Sequence, residues 1–167
     1  MTRNPDIFWR RTVTTTDGAF EVCYSANGLA RIRFPRKARR AGDAGNSPPE
    51  VRRWHDLTVE ALRKALAGQA PGRLPPLDFS PGTPFQQKVW RALLSIKAGK
   101  TVSYGALARR IGKPGSSRAV GAACGANPLP VLVPCHRVVT FDSRLGGFSG
   151  GLDWKRKLLA REGLTVQ

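Results

Sequence analysis

Between Pro71 and Pro84 proline and glycine recur so densely that no long helix or strand can run through the segment. Proline lacks a backbone donor and glycine resists ordering, so at most a short strand at Leu77 to Phe79 fits there. The chain is thereby divided into two halves, residues 1–79 and 80–167, and each half has to find its own regular elements. In the first, the apolar runs Phe20 to Tyr24 and Leu29 to Phe34 flank Ser25, Ala26, Asn27 and Gly28, which reads as a β-hairpin with turn residues in place. From Arg36 to Pro49 the sequence is basic and broken by glycine, serine and proline, and is expected to be an exposed loop. Val51, Trp54, Leu57, Leu62 and Leu66 then recur at mainly helical spacing and predict an amphipathic helix from Glu50 to Leu66.

The second half is patterned for helices. Phe85, Val89, Leu93 and Ile96 share one face of a helix from Pro84 to Ile96. Ser103 is placed to cap a short helix ending near Ile111, a turn follows at Gly112, Lys113, Pro114 and Gly115, and Ser116 or Ser117 opens another helix ending near Gly125. Two short helices about such a turn make a helix-turn-helix pattern. Strands and helices together predict a mixed α/β (α+β) chain with a mainly helical C-terminal half. The second helix of the pair, Arg118 to Gly125, offers one long polar side chain and is otherwise made of small residues. Reading base edges takes several long polar side chains, so this helix suits close approach to a surface rather than sequence recognition.

Charge narrows the partners. Lys plus Arg number 28 against 11 Asp plus Glu, a formal net charge of +17 in 167 residues, which points to a polyanion. No apolar run is long enough to cross a bilayer and the N-terminus lacks a signal-type apolar core, so an intracellular, cytoplasmic protein is expected. Three cysteines without a CxxC pair, and only two histidines, support neither a disulfide framework nor a metal site, and no cofactor is expected.

One of those cysteines carries the chemistry. Pro134, Cys135, His136, Arg137, Val138 and Val139 follow the apolar run Val131 to Val133, so a thiol is expected at the exposed end of a stiff segment beside an imidazole and a guanidinium. An ordinary thiol has a pKa near about 8.5 and is only slightly ionised at neutral pH, so a neighbouring base decides whether it reacts. Both a turnover thiol hydrolase and a consumed acceptor could use such a string.

The string also resembles the active-site signature of the O6-alkylguanine-DNA alkyltransferases. The similarity continues in Phe85 to Trp90, Val102 to Tyr104, Arg118 to Gly121, Asn127 with Pro128, Gly147 to Gly151, and the final helix with Lys155, Leu158, Leu159 and Glu162. It is strong over residues 80–163 and weak before that. The resemblance implies a small N-terminal RNase H-like domain and a C-terminal winged helix-turn-helix-like domain. It implies a monomer that takes an alkyl group from O6 of guanine, and from O4 of thymine, in double-stranded DNA onto Cys135, irreversibly and once. By the same resemblance His136 acts as a base through a water, Glu162 orients it, and Asn127 holds the neighbouring turn. Tyr104, Ser149, Val138 and Phe148 would surround the extruded guanine. Arg118 would fill the gap in the duplex, with Ala119, Gly121, Ala122, Ser103 and Arg137 contacting DNA in the minor groove with little sequence preference. Some relatives hold zinc through N-terminal cysteines and histidines; with His55 the only histidine in the first half, none is expected. Relatives that bind lesions without repairing them lack the cysteine, whereas Cys135 is present. A location with the DNA, nucleoid or nucleus, follows.

Overall fold

The computed structural model describes residues 9–35 and 47–165; the expected loop at 36–49 lies almost wholly outside them, as do the residues before Trp9. Three antiparallel strands come first, β1 (Trp9–Thr15), β2 (Gly18–Ser25) and β3 (Gly28–Arg33), paired in the order β1-β2-β3. The expected hairpin is β2–β3. Its tight connection needs Gly28, whose φ is +142° and whose missing Cβ lets the backbone of Pro76 pack against it. Strand β1 was not legible in the sequence because it is an edge strand with a single fully buried side chain, Val13, and owes its existence to pairing with β2. One face of the sheet sends Phe20, Val22, Tyr24, Leu29 and Ile32 into the core.

Helix α1 (Pro49–Leu66) lies against this sheet and buries Val51, Ala61, Leu62, Ala65 and Leu66. Each fully buried leucine contributes about 2 kcal/mol. The proline-rich segment supplies no full strand. Leu77 makes an isolated parallel bridge to Leu29, with Leu29 N donating to Pro76 O at 2.8 Å and Asp78 N to Leu29 O at 2.9 Å.

In the second half, α2 (Pro84–Leu93) opens with a capping box: Gln86 N donates to Thr83 Oγ1 at 3.2 Å and Thr83 N to Gln86 Oε1 at 2.9 Å. It stops at Leu93, short of the expected Ile96, because the next turn tightens through Ser95 N to Ala92 O and Ile96 N to Leu93 O. Two-residue strands β4 (Val102–Ser103) and β5 (Val138–Val139) pair in parallel. Helices α3 (Tyr104–Arg110) and α4 (Ser117–Gly125) form the expected helix-turn-helix, and α5 (Leu152–Arg161) closes the chain. Among the described residues this makes five α-helices on two small sheets, a mixed α/β fold.

One hydrophobic core runs through both halves, from Val13 to Leu158. Phe34 packs at 4.9 Å on Trp154 of α5 and edge-on at 5.7 Å to Phe148, while Ile32 N donates to Pro128 O at 2.9 Å. The three-stranded sheet therefore buttresses the segments on either side of Cys135. At its far end Asp17 accepts from Arg161 at 2.6 Å and pairs with Lys157 at 2.7 Å, tying the β1–β2 turn to α5.

Candidate active site and nucleic-acid face

The segment from Asn127 to Pro134 folds into a tight bend because one buried amide organises it. Asn127 Oδ1 accepts from Leu129 N at 3.0 Å, and its Nδ2 donates to Val133 O at 2.8 Å and to Cys135 Sγ at 3.1 Å. Val131 is held at φ +77°, a conformation that a β-branched residue adopts only when its surroundings impose it. Cys135 then begins a single 3₁₀ turn, Cys135–Arg137. The thiol is not displayed at the surface as expected: Cys135 is 3% exposed. Burial pushes its pKa up to about 11, against the smaller lowering effects of the Asn127 hydrogen bond and the Lys155 charge. At neutral pH it is a thiol, and reaction requires a base.

The adjacent residue has the properties of one. His136 is buried, and burial lowers its pKa, so the imidazole is neutral at pH 7. Nε2 lies 2.9 Å from Glu162 Oε1, whereas Nδ1 has no hydrogen-bond partner among the described residues. Burial would raise the Glu162 pKa, but hydrogen bonds from His136 and Arg137 outweigh it and hold the carboxyl at about 2. A carboxylate only accepts, so Nε2 carries the proton and Nδ1 keeps a free lone pair.

Arg137 is corrected by the same geometry. It was expected on the DNA face, yet its side chain is 7% exposed and its Nε and Nη2 both donate to Glu162, at 3.0 and 2.8 Å, while Nη1 donates to Ile96 O. Gly99 N completes the shell of Glu162 at 3.1 Å. Arg137 thus neutralises the acid and locks it to the turn that follows α2.

A cavity of about 530 Å³ is lined by Tyr104, Ser117, Arg118, Gly121, Gly125, Gly146, Gly147, Phe148 and Ser149. The sequence-based candidates Tyr104, Arg118, Gly121, Phe148 and Ser149 meet there. Val138 does not reach this lining: it is fully buried in β5, and its carbonyl accepts from Lys155. Ser103 caps α3 by accepting from Ala106 N at 3.1 Å. Burial pushes the Tyr104 hydroxyl up to about 12, with smaller contributions from Cys124 and Cys135 nearby, so it stays protonated. Phe148 stands edge-on to His136 at 6.5 Å.

Lys155 is the site residue whose part the sequence did not reveal. It is completely buried, and its ammonium donates to Val138 O at 2.7 Å, to Leu145 O, and to Gly147 O at 3.4 Å, 6.0 Å from the Tyr104 ring centroid. Burial lowers its pKa to about 8. The cation therefore clips the strand that follows Cys135 to the cavity wall on both sides of Gly146. Gly146 needs its φ of +62°, and a Cβ there would come within 2.6 Å of the Tyr104 hydroxyl. A helical lysine in the charged run Lys155, Arg156, Lys157 looks like an ordinary surface residue until the loop is folded over it.

On the outside of α4, Arg118, Ala119, Ala122 and Gly125 are exposed, with Gly121 half-buried, while Val120, Ala123 and Cys124 face the core and Trp90 Nε1 donates to Ala123 O at 2.8 Å. This leaves a nearly flat strip beside the cavity mouth with one long cationic side chain at its N-terminal end. Among the described residues, no group of three or more His, Cys, Asp or Glu side chains is placed to hold a metal ion. His55 is instead bonded to Tyr24 Oη at 3.1 Å. No described helix is long and apolar enough to cross a membrane.

A solved structure, that of Mycobacterium tuberculosis OGT in complex with DNA, superposes with a TM-score of 0.75 at 37% identity, covering 92% of this chain and 91% of that one. The chain belongs to the O6-methylguanine-DNA methyltransferase family. The family model described as 6-O-methylguanine DNA methyltransferase, DNA binding domain, matches residues 84–164, which span the site from α2 to Glu162 and leave the three-stranded sheet outside. A family member of known structure from the archaeon Pyrococcus kodakaraensis, an O6-methylguanine-DNA methyltransferase, has a TM-score of 0.63 at 28% identity and covers 95% of this chain and all of its own, 100%. Among curated relatives, the methylated-DNA–protein-cysteine methyltransferase of Salmonella typhimurium is 46% identical over 109 residues, 63% of this chain and 64% of the relative. The similarly named protein of Mycobacterium tuberculosis is 48% identical over 104 residues, 62% of each. The matched stretch thus spans a little under two thirds of these relatives' length.

Proposed function

We propose that this protein repairs DNA by moving the alkyl group from O6 of guanine, and from O4 of thymine, onto Cys135 Sγ, once per molecule and without release. The observation that carries this reading is a buried thiol held by Asn127 beside a neutral histidine that has one nitrogen on Glu162 and the other without a partner among the described residues. In the proposed step, His136 Nδ1 draws the Cys135 proton through a water molecule, and the charge left on the imidazole is compensated by Glu162. The thiolate forms the S–C bond as the C–O6 bond breaks, and the electron pair leaves on the guanine. Tyr104 donates a hydrogen bond to ring nitrogen N3 and the backbone at Ser149 supports O6, so the departing anion is stabilised where its charge develops. The S-alkyl product has no hydrolysable bond, which is why the acceptor is consumed.

The substrate of this reading is duplex DNA carrying O6-alkylguanine, entered from the minor groove with little sequence preference by the small-residue face of α4. An alkyl group on O6 lies inside the base stack and meets Cys135 only after the nucleotide is rotated out, at a cost of a few kcal/mol that a badly paired base reduces. Arg118, exposed at the rim of the cavity, takes the vacated place. In this account residues 1–79 are an RNase H-like scaffold and residues 80–167 a winged helix-turn-helix-like unit that binds DNA and accepts the alkyl group. The protein works as a monomer, without cofactor or metal, in the compartment that holds the DNA. A lesion binder that does not transfer is disfavoured by the presence of Cys135 in a complete relay.

Intact-protein mass spectrometry in the presence of excess O6-methylguanine duplex tests this. The expected result is a gain of one methyl, located on Cys135 by peptide mapping, after which nothing more happens. Binding without mass gain, or continued release of product, would sink the proposal. A further expected result concerns Arg118→Ala: transfer from free O6-benzylguanine persists, while single-turnover repair of the duplex slows about 10-fold or more. Equal loss on both substrates would remove Arg118 from the extrusion step.

A further inference from the structure

Phe141 is 93% exposed, whereas the other exposed large hydrophobic residues among those described, Leu94 and Leu152, are 40% and 43% exposed. Nothing about its surroundings is slack. It sits in a turn in which Thr140 N donates to Arg144 O at 2.9 Å, Ser143 N to Thr140 O at 3.0 Å, and Arg144 N to Thr140 Oγ1 at 2.9 Å. The Thr140 hydroxyl also donates to Asp142 Oδ1 at 2.5 Å, and Arg144 Nε pairs with Asp142 at 3.1 Å. Ser143 is held at φ +62°, a left-handed conformation that the turn imposes on a non-glycine residue. So many bonds around a bare aromatic ring present it rather than merely tolerate it.

The place of this turn in the fold indicates what it meets. It begins directly after β5, which follows the nucleophile turn, and it ends at Arg144, two residues before Gly146 on the cavity wall. At no more than about 3.6 Å per residue, the base of the turn is within about 7 Å of the wall and Phe141 within about 18 Å. Successive base pairs rise about 3.4 Å, so this upper bound corresponds to about five base steps from a nucleotide drawn into the cavity. Its neighbours Asp142, Ser143 and Arg144 are polar and exposed, so no apolar patch of the size a protein partner needs surrounds it. A single aromatic ring is enough, by contrast, to wedge at or stack on a base step, and the excess of positive charge on this chain favours that partner.

We propose that Phe141 is a second DNA-contacting element, an aromatic wedge set against the minor-groove side of a base step near the extruded nucleotide. It complements Arg118: the cation fills the vacated position, and the ring, carried on the loop that leads into the cavity wall at Gly146, holds the distorted stack beside it. This inference rests on the alkyl-transfer reading for its substrate.

The test uses the full chain and Phe141→Ala, a surface change that leaves the turn's hydrogen bonds in place. Three quantities are compared with wild type: transfer from free O6-benzylguanine, equilibrium binding to an O6-methylguanine duplex, and single-turnover transfer from that duplex. The expected outcome is unchanged free-base transfer with about tenfold weaker duplex binding and correspondingly slower duplex repair below saturation. In Phe141→Trp, indole emission is expected to be quenched when duplex is added, beyond the change seen in wild type. Duplex binding by Phe141→Ala equal to wild type, together with a silent Phe141→Trp, overturns the proposal. So does equal loss on the free base, which would make the residue structural, or loss of self-association with unaltered duplex binding, which would assign the ring to a second copy of the chain. If wild type takes no methyl from either substrate, the transfer reading fails, while the binding comparison still decides whether Phe141 touches DNA.

Discussion

Cys135→Ser protein is expected to take up no measurable methyl from O6-methylguanine duplex, a loss of at least about 10⁴-fold, while still binding that duplex. The reason lies in acidity and nucleophilicity together. Even the thiol is pushed up to about 11 by burial, so the proposed relay from His136 to Glu162 already has to remove a reluctant proton. A hydroxyl in the same place is less acidic by several units and attacks a saturated carbon far less well. The fold tolerates the change, because Asn127 Nδ2 keeps Val133 O as an acceptor and can also donate to the serine oxygen. Stability is therefore expected to stay within about 1 kcal/mol of wild type, measured by urea denaturation. Tight binding to the alkylated duplex with no mass gain is the expected signature. A residual slow methylation of the serine variant at any other site would show that Cys135 is not the sole acceptor.

Glu162→Gln is expected to be the most damaging substitution outside the nucleophile, and its cost is expected to depend on pH. The carboxylate stands at about 2 in the folded protein against 4.5 for an ordinary glutamate, because His136 and Arg137 bond its charged form. A depressed carboxyl contributes stability that is complete above its unfolded value and disappears as pH falls through the folded one. The window here is from about 4.5 down to about 2, and the shift corresponds to roughly 3 kcal/mol. Removing the charge also leaves Arg137 buried without its anion, a loss of about 3 to 5 kcal/mol when a buried pair is broken from one side. Denaturation at pH 7 is thus expected to show a variant weaker by about 3 kcal/mol or more, with the gap closing as pH approaches 2. Transfer from free O6-benzylguanine, followed where both proteins remain folded, is expected to slow about 100-fold, because an uncharged amide neither stabilises the imidazolium nor fixes the proton on Nε2. A variant that loses stability but reacts at the wild-type rate would leave Glu162 a structural residue only.

The two variants separate what a reader of the chain alone could have known from what folding added. The proposed nucleophile and base are local information: Cys135 and His136 are adjacent, and no tertiary contact is needed to see that a thiol beside an imidazole is chemically unusual. The helix-turn-helix is equally local, since Ser103 as a cap and the Gly112 to Gly115 turn act within a few residues of themselves. The small-residue face of α4 follows from helical spacing. Glu162 lies 26 residues from His136, and only the resemblance to relatives pointed to it before the fold brought the two within 2.9 Å.

Other features were invisible because they are made by approach rather than by pattern. Strand β1 carries one fully buried residue and exists through its partner, and β4 and β5 are two residues each, too short to leave a periodicity. The resemblance put Arg137 on the DNA surface, but a guanidinium next to a buried carboxylate is worth more inside than out, and the end of α5 brought that carboxylate to it. Cys135 itself went from an expected exposed thiol to one that is 3% exposed, and that burial is what turns a mild nucleophile into one dependent on its relay. By itself, then, the sequence determined which atoms can react and which helices present them, because those depend on neighbours a few residues apart. The tertiary structure alone decided how reactive the thiol is, which cation is spent on the acid, and that Lys155 clips the cavity wall, because dielectric, charge pairing and carbonyl convergence arise only when distant segments meet.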